Sequence, residues 1–357
     1  MLRNIFRGVL VVLLGVAATA GYAQTSQPKT EAAEEVLRID TKLVVLDAQV
    51  LQKTTGRVLG NLKAENFELE EEGKKQEISY FSQDKLPLSV VLLLDVSGSM
   101  QPVLDELKNG AMDSLNHLKP QDEVAVMAFA TNFVVTQEFT KDRALILKGI
   151  DRVTSARAAG SGTNINEGIY GAATEMSRSS GGTRRVIVIV TDNESKVMRM
   201  TKNHSQNETE SQLFENETVV CGVIVRSGLQ KTMGAVSTAA TAASIAMNPI
   251  GGLASIGINK AMTKTYKVEN YSEKTGGEIF AAKKEAVAQD LAKMFDHLRT
   301  RYSIGYYSSN PNFDGKFRKL KLKVKSADSK QFGDVAIKTK KGYYAKVASE
   351  AASAKVK

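Results

Sequence analysis

Cysteine is almost missing from the 357 residues: Cys221 stands alone. A lone thiol excludes an intrachain disulfide and a cysteine-built zinc cage, so packing must hold the fold together. Histidine is nearly as scarce, at His117, His204 and His297. His117 and His297 fall within predicted helices, and only His204 follows a strand that carries candidate site residues. No G-x-S-x-G elbow, phosphate-binding P-loop or zinc-ligand spacing occurs, which leaves hydrolysis and nucleotide chemistry without a motif. The sequence therefore reads as that of a non-enzyme. Tryptophan is absent, and the lysine-rich stretches lack the aromatic interleaving of nucleic-acid binders, so no nucleic-acid partner is expected.

What is present is the balance of a soluble globular protein, 42% hydrophobic and 24% charged, long enough for one large domain or two ordinary ones. Residues 1–23 differ. Arg3 and Arg7 precede the apolar stretch Val9–Ala20, and Gly21-Tyr22-Ala23 supplies small residues for cleavage after Ala23. This reads as a secretory signal peptide, and the absence of cysteine at the cut argues against a lipoprotein anchor. Its removal lowers the formal charge from +9 to +7. The expected destination is the periplasm or the exterior of a bacterium, so the sequons at Asn207 and Asn216 read as incidental.

Residues 24–36 are polar and read as a flexible leader. Residues 37–87 alternate like strands: LRIDTKLVVLDAQVLQ, then FELEEEGKKQEISYFS as two short strands about Glu72-Gly73, closed by Pro87. Residues 88–301 change to alternating strands and helices. LSVVLLLD, EVAVMAFAT, FVVTQEFT, RRVIVIVTD, VVCGVIV and EIFAA read as strands, and Val103–Leu118, Arg143–Val153, Ile165–Ser177, Tyr266–Lys274 and Glu285–Arg301 as helices. Within this span, 231–263 is an insertion, uncharged from Met233 to Asn259, small-residue-rich and broken by Pro249 and Gly251-Gly252. A helical hairpin packed on its own domain accounts for it best; a membrane span and a mobile cover or partner surface are the alternatives. Residues 302–346 return to strands, with Leu320, Leu322 and Val324 on one face of FRKLKLKVK and a row of lysines on the other, read as edge protection. Residues 347–357 form a tail.

The apolar run Val90–Leu94 suits a strand buried on both faces of a parallel sheet, and it delivers Asp95, Ser97 and Ser99 to the strand's carboxyl end. There open α/β sheets bind ligands. Alone, D-x-S-x-S fits either an oxygen-lined cation loop or the cap of a following helix. Two further clusters fall on the same edge: Thr163, at the end of the glycine- and alanine-rich loop 154–163, and Thr191-Asp192, after RRVIVIV.

At these residues the chain resembles the von Willebrand factor A domain, whose metal-ion-dependent adhesion site is matched at Asp95, Ser97, Ser99, Thr163 and Asp192. The resemblance implies an α/β fold, a doubly wound and mostly parallel sheet. It also implies that the hydroxyls of Ser97, Ser99 and Thr163 hold Mg²⁺, with Mn²⁺ or Ca²⁺ as substitutes, while Asp95 and Asp192 hold it directly or through water. The implied partner is a protein that completes the coordination shell with an exposed carboxylate. Asn193 departs from the glycine most often found there in the family, and Asn tolerates a left-handed backbone.

The flanks carry a second likeness. NFELEEEGKKQEISYFS, YSIGYY, GKFRKLKLKVK and KKGYYA resemble the exported bacterial proteins termed VWFA-related in Acidobacteria. This predicts that the strands before and after the α/β domain close into one small β-sandwich with that domain inserted, an arrangement that parallels the integrin β subunit. The function implied is that of an exported, metal-dependent adhesion or scaffold protein. The competing readings are an envelope protein touching membrane through 231–263, and a hydrolase using Ser97 or Ser99.

Overall fold

The computed structural model describes residues 43–83, 86–156, 159–160, 162–195, 197–198, 203–225, 263–325 and 332–345. The expected signal peptide, leader and tail, and the bulk of the expected 231–263 insertion, lie outside the described residues. No helix among the described residues is long and apolar enough to cross a membrane.

Alternation of apolar and polar side chains starts the fold. In β1 (Leu43–Gln52) Val44, Leu46, Ala48 and Val50 are buried. A hairpin of β2 (Phe67–Glu71) and β3 (Lys74–Gln76) turns at Glu72 and Gly73, both with positive φ, and β4 (Ile78–Ser82) follows. The expected second strand of this hairpin is thus two strands. Past Gln76 the chain leaves β2 and pairs instead with a strand of the facing sheet.

The inserted domain begins at β5 (Leu88–Asp95), buried at every position. After it come α1 (Leu104–Ser114), β6 (Glu123–Phe129), β7 (Phe133–Thr140), α2 (Arg143–Arg152), α3 (Ile165–Glu175) and β8 (Arg184–Thr191). Then follow β9 (Val197–Met198), α4 (Gln206–Glu215), β10 (Val219–Val225), β11 (Thr263–Lys264), α5 (Val268–Thr275), β12 (Ile279–Ala282) and α6 (Val287–Arg299). The main sheet runs β12-β10-β8-β5-β6-β7, parallel except for the edge strand β7. Because β5 is flanked by β6 on one side and β8 on the other, strand order reverses beside it, and the loops after β5 and β8 open a crevice at the carboxyl edge.

Two cores cover the two faces, as a sheet buried on both sides requires. Val90, Leu92 and Leu94 pack with Leu107, Ile146, Ile150, Leu291 and Phe295 of α1, α2 and α6. Val91 and Leu93 pack with Ile165, Ile169, Leu213, Val268 and Tyr271 of α3, α4 and α5.

The chain ends in strands β13 (Tyr302–Tyr307), β14 (Phe317–Val324), β15 (Val335–Thr339) and β16 (Gly342–Tyr344). They complete two four-stranded sheets, β15-β1-β13-β4 and β16-β14-β2-β3, so amino- and carboxyl-terminal flanks share both layers. Leu46, Phe67, Leu69, Tyr302, Ile304, Leu320 and Leu322 form the core between them. The lysine row of β14 is not edge protection, because β14 pairs with β2 over Leu320–Val324 and with β16 over Phe317–Lys319. Its lysines face glutamates: Lys323 Nζ lies 2.6 Å from Glu70.

The sandwich abuts the main sheet at the edge opposite the crevice. Arg184, the first residue of β8, is buried and sets its Nε 3.3 Å from Asp47 Oδ2 of β1, while Arg301 donates to the carbonyls of Gly276 and Lys338. All described strands belong to one unit, Thr41–Lys357.

Candidate metal centre

β5 ends at Asp95, where Val96 N–H still bonds Phe129 O of β6 and the chain then turns into a 3-10 segment, Gly98–Val103. Asp95 is fully buried. Its Oδ1 accepts the Ser97 N–H at 2.9 Å and its Oδ2 accepts the Thr191 hydroxyl at 2.5 Å. Among the described residues these partners are neutral. Burial pushes the Asp95 carboxyl up to about 6, and the charge of Asp192 pushes the same way against the hydrogen bonds from Ser97 and Thr191.

Ser97 and Ser99 bring their Oγ atoms to 3.2 Å of each other. Ser97 begins the 3-10 segment, yet its side chain makes no capping hydrogen bond. The helix-cap reading of D-x-S-x-S therefore finds no support at Ser97.

Asp192 follows β8, is 4% exposed, and accepts the Glu194 N–H at 3.0 Å through Oδ1. Its neighbour Thr191 joins the two strand ends: its hydroxyl donates to Asp95 while accepting the Asn193 N–H at 3.0 Å. Ser195, buried on the same loop, donates to the Thr163 carbonyl at 3.1 Å and accepts the Ile165 N–H at 3.3 Å. That pair of bonds fastens the Thr163 loop to the Asp192 loop. Thr163 itself is half-buried, ahead of the Asn164 side chain that caps α3. The Thr131 hydroxyl supports this loop from the β6–β7 turn by accepting the Gly162 N–H at 3.0 Å.

Hydrogen bonds thus join Asp95 to Ser97 and, through Thr191, the end of β5 to the strand end that carries Asp192, while Ser195 fastens the backbone of Thr163 to the Asp192 loop. Ser195 and the bridging role of Thr191 were not foreseen, since each acts on a segment far away in the chain. His204 is not at this centre. It sits against α3, Nδ1 2.8 Å from Glu167 Oε1 and stacked on Tyr170 at 3.4 Å between ring centroids.

The donor chemistry fits a hard divalent cation. Among the described residues no three His, Cys, Asp or Glu side chains gather as a metal cage. A set of carboxylates with hydroxyls supplies only oxygen, which suits Mg²⁺, Mn²⁺ or Ca²⁺ and not a soft metal.

Residues 90–194 match the family profile of the von Willebrand factor type A domain. Among solved structures, the chain is similar to the conserved hypothetical protein BatB of Bacteroides thetaiotaomicron, at 16% identity over 58% of this chain and 99% of that one, TM-score 0.37. It is similar also to an aerotolerance-related membrane protein of Bacteroides fragilis, at 14% identity over 58% and 98%, TM-score 0.37. A third is proximal thread matrix protein 1 of the mussel byssus, described with a zinc-occupied MIDAS motif, at 16% identity over 65% of this chain and 50% of that one, TM-score 0.41. No curated protein sequence matches the chain.

Proposed function

We propose, from the match of residues 90–194 to the von Willebrand factor type A domain, that the chain is an exported module that binds a protein partner through a divalent cation. The observation that carries this is Asp95: a fully buried carboxylate at the sheet's switch point, next to Asp192 and to the paired hydroxyls of Ser97 and Ser99. Asp95, Ser97, Ser99, Thr163 and Asp192 would hold the ion, Mg²⁺ by preference. When bound, the cation supplies an electrophilic position for a partner's carboxylate. The chain's own residues prepare for it. Thr191 and the Ser97 N–H fix both oxygens of Asp95, and Ser195 keeps the Thr163 loop against the Asp192 loop. Export to the periplasm or beyond rests on Arg3, Arg7 and the apolar stretch Val9–Ala20.

The test is calorimetry. Wild type is expected to bind Mg²⁺ or Mn²⁺, and Asp95→Ala or Asp192→Ala to lose that binding with far-ultraviolet circular dichroism unchanged. A wild type that takes up neither ion sinks the proposal. A metal-dependent pulldown from the native envelope, comparing wild type with Asp95→Ala, then seeks the partner.

A further inference from the structure

Asn193 has a left-handed backbone, φ 63°, and is buried. Glycine would serve that backbone without strain, so the side chain has a separate use. Its Oδ1 accepts the Val268 N–H at 3.0 Å, and its Nδ2 donates to both Glu269 oxygens at 3.0 and 2.7 Å. Its carbonyl accepts Lys267 Nζ at 2.6 Å. All of these partners lie at the amino end of α5, where the first N–H groups of a helix need acceptors. The N-cap residue of α5 is Lys267, whose side chain makes no cap. The same two segments of chain meet again where β9 pairs with β11, Val197 opposite Lys264 and Met198 opposite Thr263.

The far end of α5 is fastened to the sandwich. Lys341, in the turn between β15 and β16, donates its N–H to Lys274 O at 2.9 Å. Arg301 donates to Gly276 O at 2.9 Å and to Lys338 O at 3.3 Å. Gly276, with φ 79°, ends the helix so close to Thr339 that a Cβ there would strike its backbone.

We propose that Asn193 is a positioning residue that caps α5 from another loop, and that α5 is thereby a strut joining the loop of the candidate metal centre to the β-sandwich. The cap stands on geometry alone; its use in metal binding rests on the proposed function. A shift of the Asp192–Asn193 loop must either carry the amino end of α5 with it or break these bonds. Any resulting coupling is reciprocal, so the state of the sandwich contact alters metal affinity by the factor with which metal alters the contact.

Hydrogen exchange on the full chain tests this. Asn193→Gly keeps the backbone relaxed and deletes the cap. Without metal, amides of α5 and of Lys341 are expected to exchange about tenfold faster in this variant, from the loss of buried hydrogen bonds, while β5 and β8 stay as in wild type. Glu269→Ala, which leaves the loop intact, gives a smaller acceleration in the same amides and decides the matter should Asn193→Gly not fold. Wild-type exchange throughout α5 overturns the cap; acceleration in α5 without Lys341 overturns the strut. With Mg²⁺, wild type gains protection at both places and Asn193→Gly binds the ion without that gain. Mg²⁺ binding that leaves α5 unchanged in wild type overturns the coupling. Absence of Mg²⁺ binding removes the metal reading and leaves the cap to be judged by the metal-free comparison.

Discussion

A buried carboxylate keeps its position only if each oxygen is supplied with donors, and the Oδ2 of Asp95 accepts the hydroxyl of Thr191. Thr191→Val preserves shape and the strand, and removes that donor together with the acceptor of the Asn193 N–H. The expected cost is about 1–3 kcal/mol, from groups left buried and unsatisfied. Urea unfolding checks it, and Thr191→Ser should restore most of the loss. This residue also marks where sequence reading ends. D-x-S-x-S, Thr163 and Asp192 are legible because each directly ends a strand or opens a helix. Thr191 is legible only as the neighbour of Asp192 on the site edge, without its bridging role, and Ser195 not at all, because their partners Asp95 and Thr163 lie 96 and 32 residues away.

At the scale of elements, hydrophobic period was enough for the strands buried on both faces and for α1, α3 and α6, and it failed for α4. QNETESQLFE buries only Leu213 among its apolar side chains, so no amphipathic stripe announces a helix. The available signal is the capping box: Ser205 Oγ accepts the Glu208 N–H at 3.2 Å while Glu208 accepts the Ser205 N–H at 2.6 Å. Ser205→Ala should therefore cost about 1 kcal/mol, with the faster amide exchange confined to 206–215. The split of the second hairpin strand into β3 and β4 was illegible for a different reason, since alternation does not say which sheet a strand joins. Pairing across the sandwich depends on buried polar groups as well as apolar ones. Glu71 of β2 is 3% exposed, accepts the Tyr306 hydroxyl at 2.5 Å and faces Arg318 Nη1 at 3.2 Å. Glu71→Ala strands the buried Arg318 guanidinium and is expected to lose about 3–5 kcal/mol. Glu71→Gln, which keeps the hydrogen bonds in part, should lose less, and the difference in denaturation midpoint measures the charge.

For the whole molecule, the junction between sandwich and α/β domain is electrostatic, and it makes an acid-dependent prediction. Asp47 of β1, half-buried, meets Arg184 of β8 at 3.3 Å and lies near the buried Arg301, with Ser303 Oγ donating at 3.1 Å. Burial raises the Asp47 carboxyl, but the charges of Arg184 and Arg301 with the bonds from Arg184 and Ser303 outweigh it and hold the group below the usual carboxylate range. A carboxyl whose folded pKa is depressed adds stability above its unfolded value of about 3.9, and that contribution fades as pH falls through the lower folded value. Protonation of Asp47 leaves the buried guanidinium groups of Arg184 and Arg301 facing a neutral acid. Asp47→Asn reproduces that condition at every pH. At pH 7 the variant should be about 3–5 kcal/mol less stable, the cost of removing one partner of a buried ion pair. Wild type should lose this stability mainly below about pH 4, while the variant lacks it at every pH, so their urea midpoints lie closer at pH 3 than at pH 7. Parallel curves, displaced equally at both pH values, would show that Asp47 acts at the junction by shape and not by charge.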